Sequence, residues 1–328
     1  MFRPKKPHNI STREMFSLLG EIDWNDSAPC FKKAYVCSIF SQWAYAVIPE
    51  WEMKEAKMKR VKLFNASSLY NYLVSVEGQP PFDFEAFLQD QREVVNPVLT
   101  ITDNRLMVAV VLRRQNVIFI SLRGTIYLPD FFVDAYGIKE YPLKAHFHCG
   151  FHRGFYLAVA RSFRKLRDEI FRLSSNPLIY VTGHSLGGAM SGILHGLWNV
   201  DAVENAGQYG RVNYPQVRSA YTFGMPRFGD ENAMELLRNY PLYYPSVGRA
   251  FHPYHILHPL DNIPGVPPRS LNYADSDFEW LSTTGKRIAS RKERDKSFLN
   301  RVLEAASGWS NHDIDKYVEK TRRLAVKP

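Results

Sequence analysis

The chain has 328 residues, 45% hydrophobic and 23% charged, with a net charge of +9; this is ordinary globular material, enough for one large α/β domain with decorations. Three cysteines, Cys30, Cys37 and Cys149, odd in number and without metal or redox spacing, argue against a disulfide framework and fit a reducing compartment. No run of about 18 apolar residues is present, so no membrane-spanning helix is expected.

The basic start MFRPKKPHNISTREMF is followed by no apolar core, so no secretory signal is expected. The expected location is the cytoplasm, or outside the cell by a route without a cleavable signal. Residues 1–100 carry few chemical signals: a helix is predicted over Phe31 to Val47, then basic and proline-containing connections. They read as a helical wrap or cap on a main domain at 101–328. Much of the positive excess lies in KEAKMKRVK (54–62) and KRIASRKERDKSFLNR (286–301). Both runs are mixed with acids and lack the interleaved aromatics of a single-strand nucleic-acid platform, so nucleic acid is not an expected partner. They read as solvated helix faces, with peripheral contact to an anionic membrane surface as the sharper alternative.

Leu106 to Leu112 and Val117 to Leu122 are strand-like around a polar turn and predict a hairpin. The second strand breaks at Arg123-Gly124-Thr125. From Phe155 to Leu173 apolar residues recur at spacings of three and four, which predicts an amphipathic helix. It leads into LIYVTGHSLGG (178–188), an apolar strand breaking into a serine flanked by glycines and then into small residues that let a helix start against a sheet. A G-x-S-x-G turn of this kind leaves no room for side chains at Gly183 and Gly187 and lifts the serine hydroxyl above the sheet. Ser185 is therefore the candidate nucleophile. Beyond it come a polar insertion at about 201–218, strand-like Ala220 to Phe223, strand-like Tyr254 to Leu257, and a last helix from near Asp313. Strands alternating with helices predict a mostly parallel central sheet with helices on both faces.

A serine hydroxyl attacks an ester only when an imidazole takes its proton and a carboxylate holds that imidazole in the right tautomer. The order serine, acid, histidine along α/β-hydrolase chains directs the search downstream. Asp261, just past a strand in LDNIPGVPP, and His312, before the last helix in SNHD, are chosen. As plain structural residues they would be a turn former and a helix flank. His195 lies about 15 Å along the serine helix, and His184 should point away from Ser185. His146, His148 and His152 lack a fourth ligand, so a structural role is preferred to a metal site. One oxyanion donor should be the backbone N–H of Leu186 at the helix start; Thr125, with a backbone N–H and a hydroxyl, is the choice for the second.

These motifs together resemble the class 3 lipases, the family of fungal triacylglycerol lipases and plant phospholipases A1. The resemblance rests on ISLRGT (120–125), GFHRGF (150–155), GHSLGG (183–188), FGMPRFG (223–229), DNIPGVPP (261–268) and NHDIDKY (311–317), and covers about residues 100–325. It implies an α/β-hydrolase fold, Ser185, Asp261 and His312 as triad, Thr125 and Leu186 as oxyanion hole, and no metal or cofactor. It also implies a lid within 126–145 whose Tyr127, Leu128, Phe131, Phe132 and Val133 face acyl chains; a helix packed on the core is the plainer reading of that stretch. The expected activity is hydrolysis of lipid esters, lipase or phospholipase A, through an acyl-enzyme. An acyltransferase on the same triad and a silent lipid-binding protein are the alternatives.

Overall fold

The protein is seen in a computed structural model that describes residues 12–26, 28, 30–47, 99–104, 107–114, 116–124, 138–141, 148–205, 215–243, 252–290, 294 and 311–326. Thr125, the five expected lid contacts Tyr127, Leu128, Phe131, Phe132 and Val133, and the basic run 54–62 lie outside the described residues.

Among the described residues seven strands form the main sheet: β1 (Leu99–Asn104), β2 (Met107–Arg114), β3 (Val117–Leu122), β6 (Leu178–His184), β7 (Val217–Phe223), β8 (Tyr254–Leu257) and β9 (Glu279–Leu281), neighbours in that order. A short antiparallel pair, β4 (Lys139–Glu140) and β5 (Phe151–His152), stands apart. The first three strands are antiparallel, and from β3 onward every pairing is parallel. The expected hairpin is present, but its strands pair as far as Arg114 with Val117, so the turn is tighter than the sequence suggested.

Period-two alternation divides the core. Ile118, Ile120 and Leu122 of β3 face one apolar cluster and Val117 and Phe119 the other, as a strand buried on both faces requires. Helices α3 (Arg153–Leu173), α4 (Leu186–Asn205) and α5 (Glu231–Tyr243) supply the first cluster. The second is filled by α1 (Thr12–Glu21), α2 (Phe31–Trp43) and the final helix α6 (Ile314–Ala325).

Every residue of α2 from Lys33 to Trp43 is buried, because the helix runs between the sheet and α6, and Lys33, Ser38, Ser41 and Gln42 are buried with its apolar residues. Its carbonyls are used as well. Thr182 donates to the carbonyl of Cys37 at 3.0 Å and Ser121 to that of Phe40 at 2.9 Å, so its polar groups are matched where it meets the strands. A single 3-10 turn, Ala44–Ala46, continues it and buries Tyr45.

Two expectations need correction. The polar connection after the serine helix is shorter than 201–218: α4 continues to Asn205 and β7 begins at Val217, since Asp201 is tied to Arg167 of α3 at 3.3 Å and Ala202 is buried. The basic run from Lys286 is not a solvated helix where it is described. Arg287 bridges to Trp280 in extended backbone, and Arg294 is buried in a cluster of ion pairs.

Candidate active site

Strand β6 delivers Ser185 at its carboxyl end, and the backbone there has φ +60, a left-handed conformation that costs an L-residue about 1–2 kcal/mol. Such strain marks a site held in place by its surroundings. Here the Ser185 N–H donates to the carbonyl of Phe223 at 2.9 Å, and α4 starts at once as Gly188 N–H returns to the Ser185 carbonyl at 2.9 Å. Close approach explains Gly187: a Cβ there would run into the carbonyl oxygen of Leu122, the end of β3. The elbow thus abuts the strand leading to residues 123–125. At Gly124 a Cβ would stand 3.2 Å from Ser185 Cβ. Leu186 is the first residue of α4, and a first-turn N–H has no acceptor within its own helix.

Asp261 lies just past β8 and is fully buried. Its Oδ2 accepts from Nδ1 of His312 at 2.8 Å and from the hydroxyl of Tyr317 at 2.7 Å, and its Oδ1 from the N–H of Ile263 at 2.9 Å. Three donors satisfy the acceptor oxygens of a buried carboxyl group that water cannot reach. Because a carboxylate only accepts, Nδ1 of His312 carries the proton and Nε2 presents its lone pair. Nε2 of His312 and Oγ of Ser185 are both buried and have no hydrogen-bond partner among the described residues.

The loop bearing Asp261 is strapped from below. Arg227 donates to the carbonyls of Gly265 and Pro267 at 2.5 and 2.7 Å, and Arg294 to that of Pro264 at 2.9 Å. Both guanidiniums also meet Asp275, at 2.6 and 2.8 Å, and Arg269 joins them. Burial pushes the Asp275 carboxyl up, but Arg294, Arg227 and hydrogen bonds from Arg269 and Arg227 outweigh it and hold Asp275 below the usual carboxylate range. That stabilisation is present above the ordinary carboxylate range and is lost as pH falls through the lowered value.

Gly224 sits at the centre of the group with φ +56. A Cβ there would lie 2.6 Å from Asp261 Oδ2, 2.9 Å from the Tyr317 hydroxyl and 3.1 Å from His312 Nδ1. The preceding carbonyl, that of Phe223, is the one Ser185 holds, so serine and histidine flank a single stretch of backbone. Gly224→Ala should lower kcat about a hundredfold, the effect of displacing a catalytic group by about 1 Å. Steady-state hydrolysis of a short-chain nitrophenyl ester reads this, and activity within a few-fold of wild type would show that the gap at Gly224 is not needed.

Of the sequence-predicted residues, Ser185, Leu186, Asp261 and His312 are brought to one end of the sheet, while Thr125 is outside the described residues. His184 packs on His312 with ring centroids 4.6 Å apart. Among the described residues no group of three His, Cys, Asp or Glu side chains could hold a metal, and no helix is long and apolar enough to cross a membrane. Sequence reasoning missed Tyr45 and gave no separate role to Gly224 and Tyr317, although both stand inside motifs it singled out.

A mostly parallel sheet covered by helices on both faces, with a strained serine between strand and helix, is the α/β-hydrolase fold. Residues 119–271 match the family model of the class 3 lipases, and the resemblance read from the motifs is borne out. No curated protein matches the chain. Among solved structures it is similar to a triacylglycerol lipase whose catalytic centre is described as a serine protease triad, at 18% identity and TM-score 0.50 over 76% of this chain and 79% of that one. The native propeptide complex of Rhizomucor miehei lipase matches at 17% identity and TM-score 0.48, covering 83% and 69%. Lipase II from Rhizopus niveus matches at 19% and 0.46, covering 83% and 82%. At 18% identity the first of these likenesses is one of fold; the family match carries the activity class, hydrolysis of carboxylic esters of the lipase type. Tyr45 and His312 both fall outside the matched segment.

Proposed function

We propose that the protein hydrolyses phospholipid esters through a Ser185, His312, Asp261 triad and an acyl-enzyme intermediate. The observation that carries this reading is the bond from His312 Nδ1 to the buried Asp261 carboxylate, with Nε2 of His312 and the Ser185 hydroxyl both left without partners beside the elbow. In the reaction Ser185 Oγ attacks the ester carbonyl carbon while His312 Nε2 takes its proton, and Asp261 stabilises the imidazolium that forms. The oxyanion accepts from the Leu186 N–H at the start of α4, where the helix dipole adds to the effect, and from Thr125. Collapse breaks the ester C–O bond, and the alcohol, a lysolipid for a phospholipid substrate, leaves with the proton from His312. Water, deprotonated by the same nitrogen, then attacks the acyl carbon and releases the fatty acid and Ser185.

Ser185 is fully buried, so hydrolysis requires the hydroxyl to become accessible to the ester carbonyl. The net charge of +9 favours an anionic lipid surface over neutral triglyceride as the place where this happens. Mass spectrometry of products from mixed phospholipid and triglyceride vesicles tests the assignment. Wild type should release fatty acid and one lysolipid series, and Ser185→Ala neither. Diacylglycerol and no lysolipid would make the substrate triglyceride instead. An unreactive wild type, or Ser185→Ala cleaving as well as wild type, would remove the enzyme reading.

A further inference from the structure

We infer that Tyr45 and His184 are positioning residues for the base, forming a hydrogen-bonded relay from the N-terminal helical layer to the backbone of His312. The inference rests on the triad reading above. His184 is fully buried, and both its ring nitrogens are engaged. Nε2 lies 2.6 Å from the carbonyl oxygen of His312 and Nδ1 2.9 Å from the hydroxyl of Tyr45. A carbonyl only accepts, so Nε2 carries the proton, and Nδ1 must then accept from the Tyr45 O–H. The tautomer is therefore set by the partners. Burial first, and the proximity of His312 second, hold His184 well below the usual imidazole range, which keeps the ring neutral as this arrangement requires.

The carbonyl of His312 stands just outside the hydrogen-bond ladder of α6, whose first acceptor at that end is the carbonyl of Asp313, bonded by Lys316 N–H. His184 supplies the partner that the helix does not. With Asp261 holding Nδ1 of the side chain and His184 holding the main chain, the imidazole of His312 is fixed at two points, which sets the direction of its free Nε2. Orientation of a base at this level governs proton transfer more than substrate affinity.

Tyr45 ties the relay to the rest of the site. Its hydroxyl would be 2.6 Å from a Cβ on Gly124, at the end of the oxyanion strand, and the carbonyl of His184 2.7 Å from the same point. Tyr45 is buried at the end of a helix packed against β6. The relay thus joins residues 139 and 128 positions apart in the chain, and it makes the N-terminal layer part of the catalytic apparatus.

The test measures kcat and KM on a soluble short-chain nitrophenyl ester, the rate of Ser185 phosphonylation by an alkyl fluorophosphonate, and thermal stability. Tyr45→Phe should slow kcat and phosphonylation about tenfold, the worth of one buried hydrogen bond, with KM unchanged. His184→Gln can place its amide N–H where Nε2 meets the His312 carbonyl, but its carbonyl oxygen then does not stand at the Nδ1 position that accepts from Tyr45; it should match Tyr45→Phe, and the double variant should be no slower. His184→Asn, too short to reach the carbonyl, should be about tenfold slower than His184→Gln, which preserves the test if Tyr45→Phe does not fold. A folded Tyr45→Phe with wild-type kcat, additive losses in the double variant, or equal rates for the Asn and Gln variants would overturn the relay. A wild type that neither cleaves the ester nor reacts with the phosphonate would instead remove the triad reading beneath it.

Discussion

Ser185→Ala should lower ester hydrolysis by about 10⁴- to 10⁶-fold, leaving only what transition-state contacts supply without a nucleophile. The same position separates chemistry from stability. Because Ser185 has φ +60, Ser185→Gly relieves about 1–2 kcal/mol of backbone strain, against which the greater freedom of glycine in the unfolded chain costs about 0.4–1 kcal/mol. The glycine variant should therefore be inactive and at least as stable as wild type. Parallel thermal unfolding and nitrophenyl ester assays check both halves. A glycine variant that retained activity would remove Ser185 from the mechanism, and one that unfolded well below wild type would remove the strain argument.

Asp261→Asn should lower kcat by about 10³- to 10⁴-fold and stability by about 1–3 kcal/mol. The carboxylate accepts from three donors, His312 Nδ1, Tyr317 Oη and Ile263 N–H. An amide has one oxygen and one NH₂ to put in their place. With the NH₂ at the Oδ1 position it opposes the Ile263 N–H, donor against donor. With the NH₂ at the Oδ2 position it makes Nδ1 of His312 an acceptor and moves the ring proton to Nε2, where it can no longer take one from Ser185. The Tyr317 hydroxyl accepts from His258 N–H at 3.1 Å while donating to Asp261, so its proton is already directed at the carboxylate. Activity within tenfold of wild type would show that the imidazole is oriented by something else.

The strand, turn and helix around Ser185 were legible in the sequence because each is a local pattern: an apolar run, a serine between glycines, then small residues. Asp261 and His312 could be chosen because chain order and strand ends restrict where an acid and a base can stand. Tyr45 and Gly224 carry no such local mark. The hydroxyl of Tyr45 meets His184 across 139 positions, and the need for glycine at 224 exists only once Asp261, Tyr317 and His312 have converged on it. Helix α2 shows the same limit. Its presence was readable, but a helix that mixes aromatic and aliphatic residues with Lys33, Ser38, Ser41 and Gln42 fits a cap as well as a buried layer until the sheet and α6 enclose it. The basic residues from Lys286 misled for a related reason, since Arg294 is buried by the distant Asp275 and Glu279 rather than by its neighbours.

The central claim, that Ser185 is the nucleophile of an acyl-enzyme, is tested most directly by acid-quenching the protein during turnover of a slowly deacylated ester and locating the acyl group by peptide mass spectrometry. A single acyl adduct on Ser185 is expected, absent from Ser185→Ala and depleted in His312→Ala. An adduct on another residue, or rapid hydrolysis without any covalent intermediate under conditions where deacylation limits the rate, would contradict it.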